Sequence, residues 1–163
     1  MEQENATTET GLVNEAKLIE REITVRNLTL TKEVIETRRS LVRWLAVSLG
    51  VINPGESRQA AIQVFDSIMF FQFHEKRDPE VPEMMEYISQ AWGEPINEKT
   101  LRYHLLQLSK ANIVKHAKGK YFLPQPEGAE KYDGEAWINH YFNTEITPIR
   151  EKLVTAMREL KNR

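Results

Sequence analysis

A mainly helical fold with one small two-stranded hairpin, α+β in class, is what this sequence predicts, and three observations predict it. Apolar residues recur at three- and four-residue spacing through most of the chain. One stretch, residues 113–123 (IVKHAKGKYFL), breaks that rhythm with two short β-type runs around a glycine. The 163 residues, 40% of them apolar, suffice for one compact core with helical extensions.

Residues 1–10 (MEQENATTET) are polar and aperiodic and read as a disordered tail. An N-terminal helical extension is expected over 11–55. Within it Leu12, Ala16, Ile19 and Ile23 recur at 4-3-4 spacing, as in a short amphipathic helix. The β-branched run EITVRNLTL (22–30) fits either a frayed helix or an extended linker. One helix is then predicted from Thr31, a capping residue, to Leu49, with Val34, Leu41, Leu45 and Leu49 on one face and Gly50 as its C-terminal cap. Asn53-Pro54-Gly55 is a turn, and Ser57 can cap a helix over 58–74. That helix is apolar almost all round (Ile62, Val64, Phe65, Ile68, Met69, Phe70, Phe71, Phe73), so it must be covered on most sides. Pro79 and Pro82 frame a break before a short helix over 83–92, with Met84, Ile88 and Ala91 or Trp92 inward.

Gly93-Glu94-Pro95 turns the chain, and Asn97 can cap a helix over 97–111. At 100° per residue Leu101, Leu105 and Leu108 fall within about 60° of one another. Lys99, Tyr103, Leu106 and Lys110 lie opposite, flanked by Thr100, Arg102 and Gln107. Strands are expected over 113–116 and 120–123, joined by Ala117-Lys118-Gly119, where glycine supplies a positive φ. PQPEGAEKYDG after Leu123 is loop chemistry and opens a C-terminal helical extension, 124–163. A short helix is expected over 135–142, and Thr147-Pro148 reads as the start of a final helix. There Ile146, Ile149, Leu153, Ala156 and Leu160 form a 3-4-3-4 seam that needs a partner.

The net charge of −2 conceals an uneven distribution. Between residues 97 and 120, Lys99, Arg102, Lys110, Lys115, Lys118 and Lys120 stand against Glu98 alone, so this stretch carries +5 and the remainder −7. Cysteine is absent, which excludes disulfides, thiolate metal sites and thiol nucleophiles. No apolar run approaches the ~20 residues of a membrane span, and the polar start is no signal peptide, so a soluble cytoplasmic protein is expected. His74, His104, His116 and His140 have no zinc-site spacing, so no metal is expected. There is no Walker loop, no G-x-S-x-G, no G-x-G-x-x-G and no marked carboxylate pair. The reading is a non-enzyme without a cofactor.

Helix, short helix, turn, helix and basic hairpin, in that order, resemble the winged helix-turn-helix family of DNA-binding proteins. The resemblance rests on PEMMEYISQAWGEPINEKTLRYHLLQLSKANIVKHAKGKYFL and spans the domain read as 56–123. It implies that helix 97–111 enters the major groove of double-stranded DNA while the wing, 113–123, reaches the adjacent backbone or minor groove. Carried over position by position, Lys99, Thr100, Arg102 and Tyr103 would face base edges or nearby phosphates. Lys110 adds charge to that face, and Lys118 and Lys120 would serve the wing. Glu98 departs from this pattern, since a carboxylate beside phosphates costs affinity unless it accepts from cytosine or pairs with Arg102. The flanking helices give a layout similar to MarR-type regulators, and Leu-Pro-x-Pro-Glu-Gly at 123–128 is similar to the stretch after the wing in MarR- and PadR-type sequences. The layout implies a homodimeric transcription regulator, with Ile149, Leu153, Ala156 and Leu160 as its dimerisation surface together with the face of Leu12–Ile23.

The alternative is a winged-helix interaction module that binds protein and never DNA. The acidic overall charge and Glu98 favour it, and Leu106 would then be a contact rather than packing on the wing. Arg38, inside the apolar sector of its helix, reads as a structural arginine with a carboxylate partner. Arg39 and Arg43 read as solvated. Trp44, Trp92, Trp137, Tyr141 and Phe142 could line a small-molecule pocket between helices, but they read first as core and interface aromatics, which leaves a small-molecule effector open and without support.

Overall fold

The computed structural model describes residues 14–163, so the tail read at 1–10 and Leu12 lie outside the described residues. The chain is mainly helical with a small two-stranded antiparallel sheet. After Asn14 a single 3-10 turn, Glu15–Leu18, gives way to extended chain as far as Leu30. The amphipathic helix expected through Ile23 does not form, and the β-branched run is extended. This arm is strapped down by backbone bonds and not by an apolar face. The Arg26 N–H donates to the Ser48 carbonyl (2.7 Å), and the Ser48 hydroxyl donates back to the Arg26 carbonyl (2.8 Å). The Arg26 guanidinium reaches the carbonyls of Val47 and Ile52, and Trp44 Nε1 donates to the Thr29 carbonyl (2.9 Å). The arm passes so close to Gly50 (φ 71°) that a Cβ there would sit 2.8 Å from Thr24 Cβ; only glycine fits.

The single helix predicted from Thr31 is two: α1, Lys32–Glu36, and α2, Arg38–Ser48. Thr37 between them is extended and caps α2, its hydroxyl accepting from the Ser40 N–H (3.1 Å). A threonine that can cap in mid-pattern competes with helix continuation. The face moves with it, and Val42, Ala46 and Leu49 are the buried residues.

Helix α3, Ala60–Met69, starts two residues later than predicted and Ser57 does not cap it. Every residue from Ile62 to Met69 is buried, as a helix apolar on most sides requires. A π-turn, Phe70–His74, ends it. Helix α4, Val81–Trp92, begins inside the expected break: Glu80 and Glu83 form a reciprocal capping box, and Pro82 sits in the first turn, where its missing N–H costs nothing. Helix α5, Glu98–Lys110, is capped by Asn97, whose Oδ1 accepts from the Lys99 N–H (2.8 Å). Strands β1, Lys115–Ala117, and β2, Lys120–Phe122, follow.

The C-terminal extension differs from its reading. Helix α6, Gly134–Tyr141, does not stop; a π-turn, Phe142–Ile146, carries it straight into α7, Thr147–Lys161. Thr147 and Pro148 thus lie inside one continuous helix. Proline has no N–H and its ring collides with the carbonyl four residues back; the wider turn accommodates both, and the Thr147 N–H bonds the Phe142 carbonyl instead.

The core is one cluster centred on α3, with α2, α4, α5, the hairpin and α6 contributing Ala46, Met84, Ile88, Leu101, Leu105, Ile113, Tyr121 and Trp137. At its edge sits a buried carboxylate, Asp66 of α3. It pairs with Arg38 of α2 (2.9 Å) and accepts from Tyr87 Oη (2.7 Å) and Trp92 Nε1 (3.1 Å) of α4. Three helices are thereby tied to one residue, and its charge is compensated as burial demands.

Candidate nucleic-acid interface

Helix α5 divides into two faces. Leu101, Leu105 and Leu108 are buried at 0%, 0% and 4% exposure, so the seat of the helix is fixed by packing. The opposite side is open: Lys99, Arg102, Tyr103 and Lys110 are exposed, and Thr100 is half-buried. Lys99 and Lys110 make no ion pair among the described residues. Arg102 lies 3.8 Å from Glu98 with both side chains more than half exposed, a pair worth little in water and readily exchanged for another anion.

Two grooves flank that face. On one side Thr100, Tyr103, His104 and Gln107 line a space of about 700 Å³ against Glu56 and Arg58 of the segment before α3. Arg58 was not singled out in the sequence, and its only signal there is a charge immediately before an apolar helix. Burial pushes the His104 imidazole below its ordinary value, with Glu56 opposing and Arg58 adding to it, which favours the uncharged ring on this face. On the other side Arg102, Leu106 and Ser109 face Lys115, His116 and Tyr121 of the hairpin across a space of about 420 Å³. Leu106 stays 52% exposed, so it borders the hairpin without being covered by it.

The hairpin is a tight one. Ala117 pairs with Lys120, leaving a two-residue turn in which Lys118 (φ 53°) and Gly119 (φ 77°) are both left-handed, the geometry that matches strand twist. Period-two alternation puts His116 and Tyr121 on one face, stacked at 4.4 Å, and Lys115, Lys120 and Phe122 on the other. Lys118 projects at the tip. Three contacts fix the second strand along its length: the Tyr121 N–H donates to the Pro79 carbonyl (3.0 Å), Lys120 bridges to Glu80, and the Leu123 N–H donates to the Oε1 of buried Gln72 (2.9 Å). Gln72 also donates to the Arg77 carbonyl and to Asp78, so it is satisfied at both ends.

The structure therefore groups Lys99, Thr100, Arg102, Tyr103 and Lys110 on one helix and sets Lys118 apart at the hairpin tip. Lys120 lies beside the start of α4. A hydrogen bond from the Glu80 N–H holds the Glu83 carboxyl below its ordinary value, with Arg77 and then Lys120 adding to it against burial. Arg39 and Arg43, read as solvated, are engaged. Arg39 stacks 4.0 Å over Trp92 and donates to the Ala91 carbonyl, and Arg43 donates to the Glu56 carbonyl. Arg38 has its carboxylate partner, in Asp66. Trp137 and Tyr141 are core, whereas Phe142 is 38% exposed.

The second surface is α7. It buries nothing: Ile149, Leu153, Met157 and Leu160 are 43–65% exposed, and Ala156 is exposed too. On the arm Leu18 and Ile19 are 64% and 58% exposed, while Glu20 pairs with Lys152 (3.1 Å) and Arg21 with buried Glu145 of the π-turn.

Among the described residues no group of three His, Cys, Asp or Glu side chains is placed to hold a metal ion, and no helix is long and apolar enough to cross a membrane. Comparisons with protein-family models, with curated proteins and with solved structures find no match.

Proposed function

We propose that this protein is a winged helix-turn-helix transcription regulator that binds double-stranded DNA as a homodimer, with α5 in the major groove and the β1–β2 hairpin on the adjacent backbone or minor groove. The observation that carries the reading is α5 itself, seated by three buried leucines and presenting Lys99, Arg102, Tyr103 and Lys110 outward. A major groove admits one α-helix, and lysine and arginine on helix and wing neutralise phosphates. The order α3, α4, α5 and hairpin supports it, as does the pinning of the hairpin against the start of α4. The Glu98–Arg102 pair is loose enough for Arg102 to turn to a guanine or a phosphate.

The test is a titration of labelled duplex DNA from upstream of the protein's own gene at several salt concentrations. The expected affinity falls on a log–log line with a slope implying about four or more neutralised phosphates. Lys99→Ala with Arg102→Ala weakens it at least about thirtyfold, near 2 kcal/mol. Both residues are exposed, so the fold is unaffected. Absence of binding at ~50 mM salt, where phosphate contacts are strongest, rejects the reading. One observation favours a protein-binding module instead: Leu106, apolar and 52% exposed at the centre of the same face. On that reading Leu106→Ala, and not the loss of the two cations, abolishes partner binding.

A further inference from the structure

The α7 stripe has the length and spacing of a coiled-coil seam but no partner among the described residues. Ile149 and Ala156 take one core position of the heptad, Leu153 and Leu160 the other. The flanking positions are then Lys152 and Glu159 on one side and Arg150 and Met157 on the other. That charge order is self-complementary in only one orientation.

We propose that α7 pairs antiparallel with α7 of a second copy, Leu153 against Ala156 and Ile149 against Leu160, about a two-fold axis between Val154 and Thr155. This orientation brings Lys152 of each copy against Glu159 of the other, so two ion pairs form by symmetry and Arg150 faces only Met157. They replace two exposed pairs within each chain, Lys152 with Glu20 and Glu159 with Arg163 (3.1 Å each), which water and other ions exchange readily. A parallel pair sets Lys152 against Met157. Its remaining acidic flank is Glu145, which is buried and already held by Arg21 of its own chain. The parallel seam thus gains no new ion pair. On the Lys152 side, Leu18 and Ile19 stand exposed next to Glu20, which is itself bonded to Lys152. They extend the apolar surface beyond a seam that is marginal on its own. The pairing puts the two α6 ends at opposite ends of the seam, so the copies meet through this strip and not through their α5 faces. It specifies the dimer within the proposed function and stands independently of whether α5 binds DNA.

The chain has no cysteine, so introduced thiols report alone. All four seam positions are exposed, so the substitutions leave the fold intact. On mild oxidation the variant carrying Ile149→Cys and Leu160→Cys is expected to form a covalent dimer, twice 19.0 kDa, on a non-reducing gel. Ile149→Cys alone is expected to stay uncrosslinked. Its two thiols would lie about 16 Å apart along the seam, beyond the ~7 Å between Cα atoms that a disulfide spans. Crosslinking of Ile149→Cys alone means a parallel seam and overturns the proposal. A native mass of 19.0 kDa in solution overturns it as well. The DNA titration on that same protein then decides separately whether α5 binds DNA.

Discussion

Helices α5 and α7 are written in the same pattern and end in opposite states. Each sets apolar residues, leucine foremost, at three- and four-residue spacing among charges. Helix α5 buries its leucine stripe against α3 and α4, which leaves a far side that is polar apart from Leu106 and the ring of Tyr103. Helix α7 buries nothing and leaves four large apolar side chains in water. An amphipathic pattern therefore says that a face must be covered, and it does not say whether the cover lies in the same chain. The neighbours say that. Helix α5 comes after two helices and a turn that bring it back onto the core, whereas α7 is the straight continuation of α6 and points away from it.

The largest effect that can break this contrast is a matched pair of truncations. Leu105→Ala is expected to cost about 3 kcal/mol in urea unfolding, by lost burial and a cavity. Leu153→Ala, measured at high dilution, is expected to change stability by no more than about 0.5 kcal/mol. Equal losses would mean that α7 is covered within its own chain. An intermediate effect sharpens the account of how α5 is seated. Asp66→Asn removes the charge that holds Arg38 and weakens the acceptor for Tyr87 and Trp92, and a loss of about 2 kcal/mol is expected. Burial first, then the Asp66 hydrogen bond and charge, push the Tyr87 phenol up to about 12. Its folded value is thus above its unfolded one, so its contribution is whole below pH 10 and disappears as pH rises towards 12. In Asp66→Asn the phenol should ionise at lower pH by absorbance titration; an unmoved titration would detach Asp66 from α4. The smallest effect lies at the start of α4. Glu83→Gln should cost less than about 0.5 kcal/mol at pH 7, since the glutamine oxygen can still accept from the Glu80 N–H and the Arg77 pair lies at the surface. The folded value of Glu83 is depressed, so its contribution is present above the ordinary 4.5 and is lost as pH falls through the lower, folded value. The gap between wild type and variant should close in acid; a gap that widened there would overturn the assignment.

Much of the α5 side was legible in the sequence because its signals are local. Asn97 as cap, the leucine stripe, and glycine in the hairpin turn each follow from a few adjacent residues. The break at Thr37 was not legible, because a threonine inside a helical pattern competes between capping and continuing, and tertiary contacts decide. The helix expected through Ile23 fails for the opposite reason: the extended arm is held by hydrogen bonds to backbone groups and by Arg26, and such bonds leave no periodicity. Asp66 and Gln72 were visible only as polar residues inside an apolar helix, and their partners lie from 5 to 51 residues away. Arg39 and Arg43 passed for solvated charges because their acceptors are carbonyls and a ring, which a charge count does not register. Thr147-Pro148 matched a helix start in every local respect, and only the π-turn before it lets the helix run through.

That π-turn also sets phase. Successive residues of an α-helix advance about 100° around the axis, and a turn of the wider kind absorbs about one residue without advancing. Measured from Trp137 with that residue discounted, Tyr141 lies at about 40°, Ile149 at about 20°, Leu153 at about 60°, Ala156 at about 0° and Leu160 at about 40°. The residues that α6 buries and those that α7 exposes thus fall on one straight line. An unbroken α-helix would swing the second half about 100° aside. Interior and exterior surfaces of this protein are two segments of a single stripe, kept collinear by one widened turn around a proline.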